Sequence, residues 1–321
     1  MRAGPMGSAP MKILVLGSAA GGGFPQWNCA CEGCRRARSG DPLARPRTQS
    51  SLAVSADGER WLLLNASPDL RQQIQANAAL HPAPGRGVRH SPLAAAVLTN
   101  GDIDHVAGLL SLRESQPLAV YATPRVHGVL AANSVFRVLN ADLVPRRTMT
   151  LGTPFRPADA AGDPLGLEVE AFAVPGKVAL YLEDAAAGPG FGSVPEDTVA
   201  LRVADTATGA AFFYVPGCAA LPGWLADRLY GAELVLFDGT TWTDDEMERT
   251  GTGTKTAGRM GHMCMSGPEG SIAAFAPLAV RRRVFIHINN TNPVLLEDSP
   301  EHRAAAAAGW TIAHDGMELT L

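Results

Sequence analysis

The residues best suited to do chemistry lie in the stretch Asn100-Gly101-Asp102-Ile103-Asp104-His105. It follows an apolar run of strand length, residues 95–98, and precedes apolar residues at helical spacing. Carboxylate and imidazole groups on a short loop with fixed ends can converge on one cation. Asn-Gly-Asp is also a favourable turn sequence, and Asp104 could instead cap the helix that follows. The stretch alone therefore leaves a metal site and a capped turn as alternatives.

Two later strands of the sequence also end in side chains that bind metals. Asp238 ends the apolar run that begins at Glu233, and His287 ends the run that begins at Arg283. In layered α/β proteins such strand ends share one edge of the sheet, where binding sites are built. We therefore predict one metal site with the following ligands: Asp102, Asp104, His105, Asp238 and His287.

This mixture of nitrogen and oxygen ligands suits iron, manganese or zinc, and it is also the ligand style of non-haem iron oxygenases. Each residue alone has the alternative of a turn aspartate or a hydrogen-bonded core histidine. For Asp104, His105 and His287 together we favour a metal site, with these three as its catalytic core. For His262 and His302 by themselves the core histidine is the preferred interpretation.

Three cysteines are crowded into the segment Cys29-Ala30-Cys31-Glu32-Gly33-Cys34. Cysteines so close in sequence are poor disulfide partners for one another, but they suit thiolate ligation of one zinc ion. We predict a structural zinc site there, with a fourth ligand from elsewhere; the alternative is a reduced cluster without metal. The two other cysteines, Cys218 and Cys264, are predicted to be buried structural thiols.

Composition limits the class of protein. The chain has 321 residues, 46% of them hydrophobic and 18% charged, which is typical of a soluble globular protein. A formal charge of −4 offers no broad basic face, so nucleic acid is not an expected partner. The sequence contains no apolar run long enough for a membrane span, and residues 1–10 lack the apolar core of a signal peptide. We therefore expect a disordered leader over 1–10 and a cytoplasmic protein.

Strands and helices alternate through the rest of the chain in the α/β pattern. Period-two hydrophobicity and turn signals predict hairpins in both halves, which suggests two similar layers within one domain over residues 11–321. A long polar connection, residues 242–261, is a candidate lid. The predicted strands are 11–18, 50–54, 61–64, 118–122, 167–174, 198–203 and 211–215, and the predicted helices are 68–79, 125–132 and 268–279.

Four stretches closely resemble one protein family. They are Gly22-Gly23-Phe24-Pro25-Gln26-Trp27-Asn28-Cys29, Thr99-Asn100-Gly101-Asp102-Ile103-Asp104-His105, Gly261-His262 and His287-Ile288-Asn289-Asn290-Thr291-Asn292-Pro293. The family is that of protein B of pyrroloquinoline quinone (PQQ) biosynthesis, within the metallo-β-lactamase superfamily. The resemblance runs from Lys12 to Gly316 and implies an αββα sandwich, a four-layer α/β fold, with a zinc-knuckle insertion near residues 29–34.

The chain departs from the usual superfamily motif, His-x-His-x-Asp-His. Asn100 and Asp102 stand at the positions of its two leading histidines, and Lys177 stands where the next superfamily histidine is expected. The closing histidine survives as His287. Related phosphodiesterases bind structural zinc with the same cysteine spacing and a later histidine, and Asn290 stands at that position here. These departures argue against a two-zinc hydrolase.

The family resemblance implies an iron-dependent, oxygen-using hydroxylase that acts on the tyrosine ring of the cross-linked Glu-Tyr precursor of PQQ. Its cofactors would be Fe(II), or another divalent metal, at the active site and Zn at the cysteines; its partners would be the precursor and other PQQ biosynthesis enzymes, and a homodimer is left open. A carrier of PQQ or its precursor towards the periplasm is the alternative, and a superfamily hydrolase is a third option. The predicted substrate-binding residues are Gln26, Trp27, Asn100, Lys177, His262 and Asn289.

Overall fold

Two β-sheets lie face to face in the structure, a computed structural model that describes residues 10–188 and 190–321. The strands of the first sheet are β1 (Lys12–Gly17), β2 (Ser51–Ser55), β3 (Trp61–Leu64), β4 (Leu93–Val97), β5 (Ala119–Ala122) and β6 (Arg146–Thr148). Those of the second are β7 (Leu167–Ala173), β8 (Val199–Asp205), β9 (Ala211–Val215), β10 (Leu234–Asp238), β11 (Arg282–Ile286) and β12 (Trp310–Ile312). The final strand, β13 (Glu318–Thr320), returns to the first sheet beside β1.

The first sheet has the order β13-β1-β2-β3-β4-β5-β6, and the second has the order β12-β11-β10-β9-β8-β7. The α-helices are α1 (Glu32–Arg38), α2 (Leu70–Ala76), α3 (Ile103–Val106), α4 (Pro124–Ala132), α5 (Gly223–Leu229), α6 (Glu246–Arg249), α7 (Ala257–Met260), α8 (Ser271–Phe275) and α9 (Pro300–Ala307). Short 3₁₀ segments are Ala78–Leu80, Ala107–Leu112, Ser134–Val138, Leu180–Leu182, Ala185–Ala187, Ala276–Leu278 and Pro293–Leu295.

Each sheet is buried on both faces, which explains why strands such as β3, Trp-Leu-Leu-Leu, are apolar at every position. One face of each sheet packs against the other sheet, with Leu64 and Val97 meeting residues such as Tyr214 in a shared core. The outer face of the first sheet packs against α2 and α4. The outer face of the second packs against α5, α8 and α9. The predicted αββα sandwich is therefore confirmed.

The parallel strands explain where the polar loops meet. Strands β3, β4 and β5 are parallel in the first sheet, and β9 to β12 are parallel in the second. The loops that follow β4, β10 and β11 leave at the same edge of the sandwich. Isolated bridges pair Asn100 with Thr198 and Ala19 with Ile288, and so tie loops of the two sheets together there.

Several helices are shorter than the sequence predicts. The predicted helix 68–79 is α2 followed by a 3₁₀ turn, because Asn77 adopts an extended conformation between them. The helical spacing after Asp104 gives only the four-residue α3 before the chain tightens into a 3₁₀ segment. The predicted helix 268–279 is reduced to α8 and a 3₁₀ turn. Of the predicted leader, residues 1–9 lie outside the described residues.

The candidate lid, residues 242–261, contains two short helices, α6 and α7, and is anchored rather than free. Glu246 of α6 is buried and accepts hydrogen bonds from the Trp242 amide, at 2.6 Å, and from the Thr291 hydroxyl, at 2.6 Å. Burial raises the pKa of this carboxyl to about 7. In the part of the chain that the structure describes, no helix is both long and apolar enough to cross a membrane.

Candidate metal centre

A cavity of about 220 Å³ opens at the sheet edge where the three polar loops meet. Its lining includes most of the residues that the sequence analysis selected, and these come from both sheets. They are Asn100, Asp102, Asp104, His105, Lys177, His262, His287 and Asn289. Asp238 lies directly behind this lining, completely buried.

Asp104, His105 and His287 bring one ligand atom each to within 4.8 Å of one another. Nε2 of His287 is 3.1 Å from Oδ2 of Asp104, and Nε2 of His105 is 4.0 Å from the same oxygen. Ligands at ordinary metal distances from one ion lie about 3 to 4 Å apart. The spacing of these three groups therefore suits a single cation.

The hydrogen bonds of the histidines determine which ring nitrogen faces that cation. Nδ1 of His105 lies 2.8 Å from Oδ1 of Asn100, an acceptor, so Nδ1 carries the proton. The Thr240 hydroxyl has one proton, which is available to Asp238 at 2.7 Å or to the His287 carbonyl at 3.0 Å. When Nε2 of His287 holds a cation, its Nδ1 carries the proton and donates to this hydroxyl, at 3.0 Å. Both histidines therefore present the lone pair of Nε2.

The surroundings of Nε2 of His105 test whether the site fits a metal ion. This atom is buried and has no hydrogen-bond partner among the described residues. A buried acceptor without a partner costs stability, and such atoms in native proteins call for an explanation. A cation held jointly with Asp104 and His287 would satisfy it, so these residues fit a metal ion.

The protonation states of Asp104, His105 and His287 depend on one another. Burial opposes charge on all of them, and it lowers the pKa of His105 to about 4. Burial also acts on His287, but the neighbouring Asp104 carboxylate overcomes it and raises the pKa of His287 above its ordinary value. Two acceptors 3.1 Å apart need a proton or a cation between them. A metal ion at this site therefore takes the place of the His287 proton.

Metal affinity is accordingly expected to depend on pH. Below the raised pKa of His287 a metal must displace one proton, so the affinity should fall by about tenfold for each unit of decreasing pH, and it should level off above that pKa. We expect calorimetric titration with Mn²⁺, in two buffers of different ionisation enthalpy, to show the release of about one proton at pH 6. An affinity that does not change between pH 6 and pH 8 would contradict this assignment.

Asp238 forms a second group with His262 and His287, whose ligand atoms also lie within 4.8 Å of one another. Its Oδ2 accepts from Nδ1 of His262 at 2.6 Å and from the Cys218 amide at 2.8 Å. Its Oδ1 accepts from the Thr240 amide at 3.0 Å and lies 2.7 Å from the Thr240 hydroxyl. Donors thus meet both oxygens of Asp238, which orients His262 and Thr240 in this arrangement. The sequence analysis grouped Asp238 with the metal ligands.

Other predicted residues lie at different places. Asp102 lines the cavity but belongs to neither convergent group; its Oδ1 accepts from the Leu180 amide at 3.3 Å, and burial raises its pKa. Asn100, predicted to bind substrate, lines the cavity, and its Oδ1 accepts from Nδ1 of His105. Gln26 and Trp27, predicted to bind substrate, lie outside the cavity, where Gln26 borders the cysteine cluster and Trp27 is 85% exposed.

The sequence analysis missed Thr240 and did not select His262 as a partner of Asp238. Thr240 follows Asp238 by two residues, a spacing that lets one strand end offer both a carboxylate and a hydroxyl. That spacing was the available signal for Thr240. His262 stacks on His287, with ring centroids 5.3 Å apart, but it follows a separate helix. Its contact with Asp238 has no counterpart in local sequence.

The cysteine cluster forms a separate candidate site. The sulfur atoms of Cys29, Cys31 and Cys34 lie within 4.8 Å of one another, and the Asn290 side chain lies 3.4 Å from the sulfur of Cys34 and 3.8 Å from that of Cys31. Burial raises the pKa of the Cys31 thiol to about 12, a penalty that a dication would remove by stabilising the thiolate. Three sulfurs fit three of the four positions of a structural zinc site. Asn290 stands at the predicted fourth position, where its Nδ2 donates to two of the sulfurs.

Comparison with known proteins identifies the family. Residues 60–288 match the family described as "Beta-lactamase superfamily domain". The chain is 55% identical over 311 residues to coenzyme PQQ synthesis protein B of Methylorubrum extorquens, and 52% identical over 312 residues to that of Bradyrhizobium diazoefficiens. Each alignment covers 97% of this chain and all of the relative.

A crystal structure of Zn²⁺-bound PqqB from Methylobacterium extorquens superposes with a TM-score of 0.91 at 54% identity, covering 97% of this chain and all of that one. The fold and the length thus agree with one group of proteins. The chain belongs to the coenzyme PQQ synthesis protein B family of the beta-lactamase superfamily.

Proposed function

We propose that this protein serves PQQ synthesis as a metal-dependent oxygenase that hydroxylates the tyrosine ring of the cross-linked Glu-Tyr precursor. Membership of the coenzyme PQQ synthesis protein B family supports the role in PQQ synthesis. The reaction type rests on one observation: Nε2 of His105, which is buried and has no partner among the described residues, converges with Asp104 and His287. Two histidines and one carboxylate, with open positions, are the ligand set of non-haem Fe(II) oxygenases.

The residues have distinct tasks in this proposal. Asp104, His105 and His287 would hold the metal, and iron, when bound, supplies the one-electron chemistry that activates dioxygen. Asn100 and Thr240 keep the two histidines in the tautomer that leaves Nε2 free. The Asp238 carboxylate holds the His262 ring over His287 at the cavity wall. The low pKa of His105 keeps its imidazole neutral, and so available as a ligand, at any pH well above 4.

The balance of the reaction defines what an assay must contain. A ring C–H bond is replaced by C–OH with one atom of dioxygen, and the other oxygen atom leaves as water. That reduction consumes two electrons and two protons, so a reductant such as ascorbate has to be supplied.

The proposal is tested with purified protein that has been loaded with ferrous iron under anaerobic conditions. On addition of oxygen, ascorbate and precursor we expect a product that is heavier by one or more oxygen atoms, and ¹⁸O₂ should label it. Protein loaded with zinc is the matched control, because zinc has no redox chemistry. Failure of the iron form to add oxygen, or an equal yield from the zinc form, would refute the oxygenase assignment.

The carrier alternative gives a different result in the same samples. A carrier would bind PQQ or its precursor without changing its mass, and would do so with either metal. Hydrolysis, as elsewhere in the superfamily, would give a product that incorporates oxygen from water. Label from H₂¹⁸O rather than from ¹⁸O₂ would therefore identify a hydrolase.

A further inference from the structure

Among the described residues, Lys177 is the one lysine or arginine that lines the cavity. It borders the cavity together with His262, His287 and Asp102. Its side chain is 18% exposed, so the ammonium group lies at the cavity wall instead of extending into solvent. The positive charge of Lys177 has no role in the metal site described above.

Lys177 is held in place from several directions. Its carbonyl oxygen accepts from the Thr198 hydroxyl at 2.9 Å, which fixes the backbone. Its stem packs against Gly261, where a Cβ atom would lie only 2.9 Å from Cγ of Lys177. Gly261 also has a φ of +88°, a conformation that favours glycine. The residue just before His262 is therefore shaped to let the lysine stem pass.

The ammonium group contacts a carboxylate that already has another partner. Nζ of Lys177 lies 2.7 Å from Oε1 of Glu183. Arg259 binds the same carboxylate through two nitrogens, Nη1 to Oε1 at 3.0 Å and Nη2 to Oε2 at 2.7 Å, and its guanidinium lies 3.9 Å from the centre of the Phe191 ring. A bidentate arginine satisfies one carboxylate by itself.

The trio of Lys177, Glu183 and Arg259 thus carries two positive charges and one negative charge. An ammonium group has three N–H donors, and the contact with Glu183 uses one of them. Among the described residues no other carboxylate lies within 4.0 Å of Nζ of Lys177. Asp102 lines the same cavity but lies farther from Nζ than an ion-pair distance, so N–H donors of the ammonium group remain available at the edge of the cavity.

We propose that Lys177 binds a carboxylate of the substrate, and that Glu183 and Arg259 form the frame that holds its ammonium group at the cavity. This inference rests on the proposed function, because a precursor built from Glu and Tyr carries the Glu side-chain carboxylate beside the aromatic ring. A single ammonium group matches the single negative charge of that carboxylate. The position also explains why a cation, rather than a metal-binding histidine, is useful at residue 177.

The experiment measures the binding of PQQ and of its methyl ester to the metal-loaded, full-length protein. Lys177→Met removes the charge but keeps a stem that can pack on Gly261. We expect this variant to bind PQQ about 10- to 100-fold more weakly than the unmodified protein, as for the loss of a hydrogen bond to a charged group. Binding of the methyl ester should be unchanged.

Lys255→Met is the matched control, since it removes the same charge from an exposed site and should leave both affinities unchanged. Equal PQQ binding by Lys177→Met and the unmodified protein would overturn the proposal, and so would an unmodified protein that does not prefer the acid to the ester. If Lys177→Met does not fold, salt titration of the unmodified protein decides: affinity for the acid should fall with ionic strength and that for the ester should not. Failure of the oxygenase assay would leave these binding differences intact.

Discussion

Replacing His105 with alanine should reduce oxygen incorporation by at least about a hundredfold, because even the partners that orient metal ligands typically contribute 10- to 100-fold. The substitution removes a buried imidazole whose Nε2 has no other partner among the described residues. It leaves Asp104 and His287 as an incomplete ligand set. Iron content after anaerobic loading and the yield of ¹⁸O-labelled product should fall together.

His81→Ala is the matched control, because His81 is exposed and its ring lies within hydrogen-bond distance of the nearby Gln75 carbonyl. It should retain iron and activity. Asn100→Ala provides a finer test, since it leaves the ligands in place but removes the acceptor that fixes the His105 tautomer. We expect an intermediate loss there. Full activity of His105→Ala would exclude this histidine as a ligand and, with it, the oxygenase site proposed above.

Replacing Cys34 with serine should cost the protein one zinc ion and lower its free energy of unfolding by roughly 3 kcal/mol or more. Structural zinc contributes about 10 to 16 kcal/mol of apparent binding energy in small zinc-binding peptides, and a larger domain needs only part of that. Cys34 is fully buried in α1, and its sulfur accepts from the Gln26 amide as well as facing Asn290. Its loss should loosen the loop that carries Gln26 and the loop that carries Asn290, because both contact this sulfur.

Metal analysis and urea denaturation measure the two effects of the Cys34 substitution. Cys264→Ser is the control, because Cys264 lies outside the cluster and its thiol donates to the Ser266 carbonyl at 3.3 Å. If Cys34→Ser is insoluble, chelation of zinc from the unmodified protein gives the same comparison. Unchanged stability after removal of zinc would contradict a structural role for the cluster.

The sequence predicts the parts of the site that are local in the chain. Asp104 and His105 directly follow an apolar strand, and His287 directly follows another, so their types and positions are informative. Strand positions were also predictable, because burial on both sheet faces makes the runs continuously apolar. The resemblance to a known family then supplied the order of the layers.

What could not be predicted depends on contacts across the fold. His262 and Asp238 are 24 residues apart in the sequence, and Arg259 and Glu183 are 76 apart. No local sequence pattern therefore predicts either pair. Glu246 looks like a solvated lid residue in the sequence, yet it is buried, and the Trp242 amide and the Thr291 hydroxyl donate to it. Helix lengths failed where the chain tightens into 3₁₀ turns, since periodicity does not distinguish the two kinds of helix.

The loops that carry Asp104 and His287 follow strands of different sheets, β4 and β11. A cation bound by both would act as a non-covalent cross-link between the halves of the sandwich. Its ligands come together only after the two sheets have docked, so the ion would bind the finished fold and not its separate parts. By mass action, a higher concentration of free metal ion would then raise the free energy of unfolding of the domain, in addition to its effect on activity.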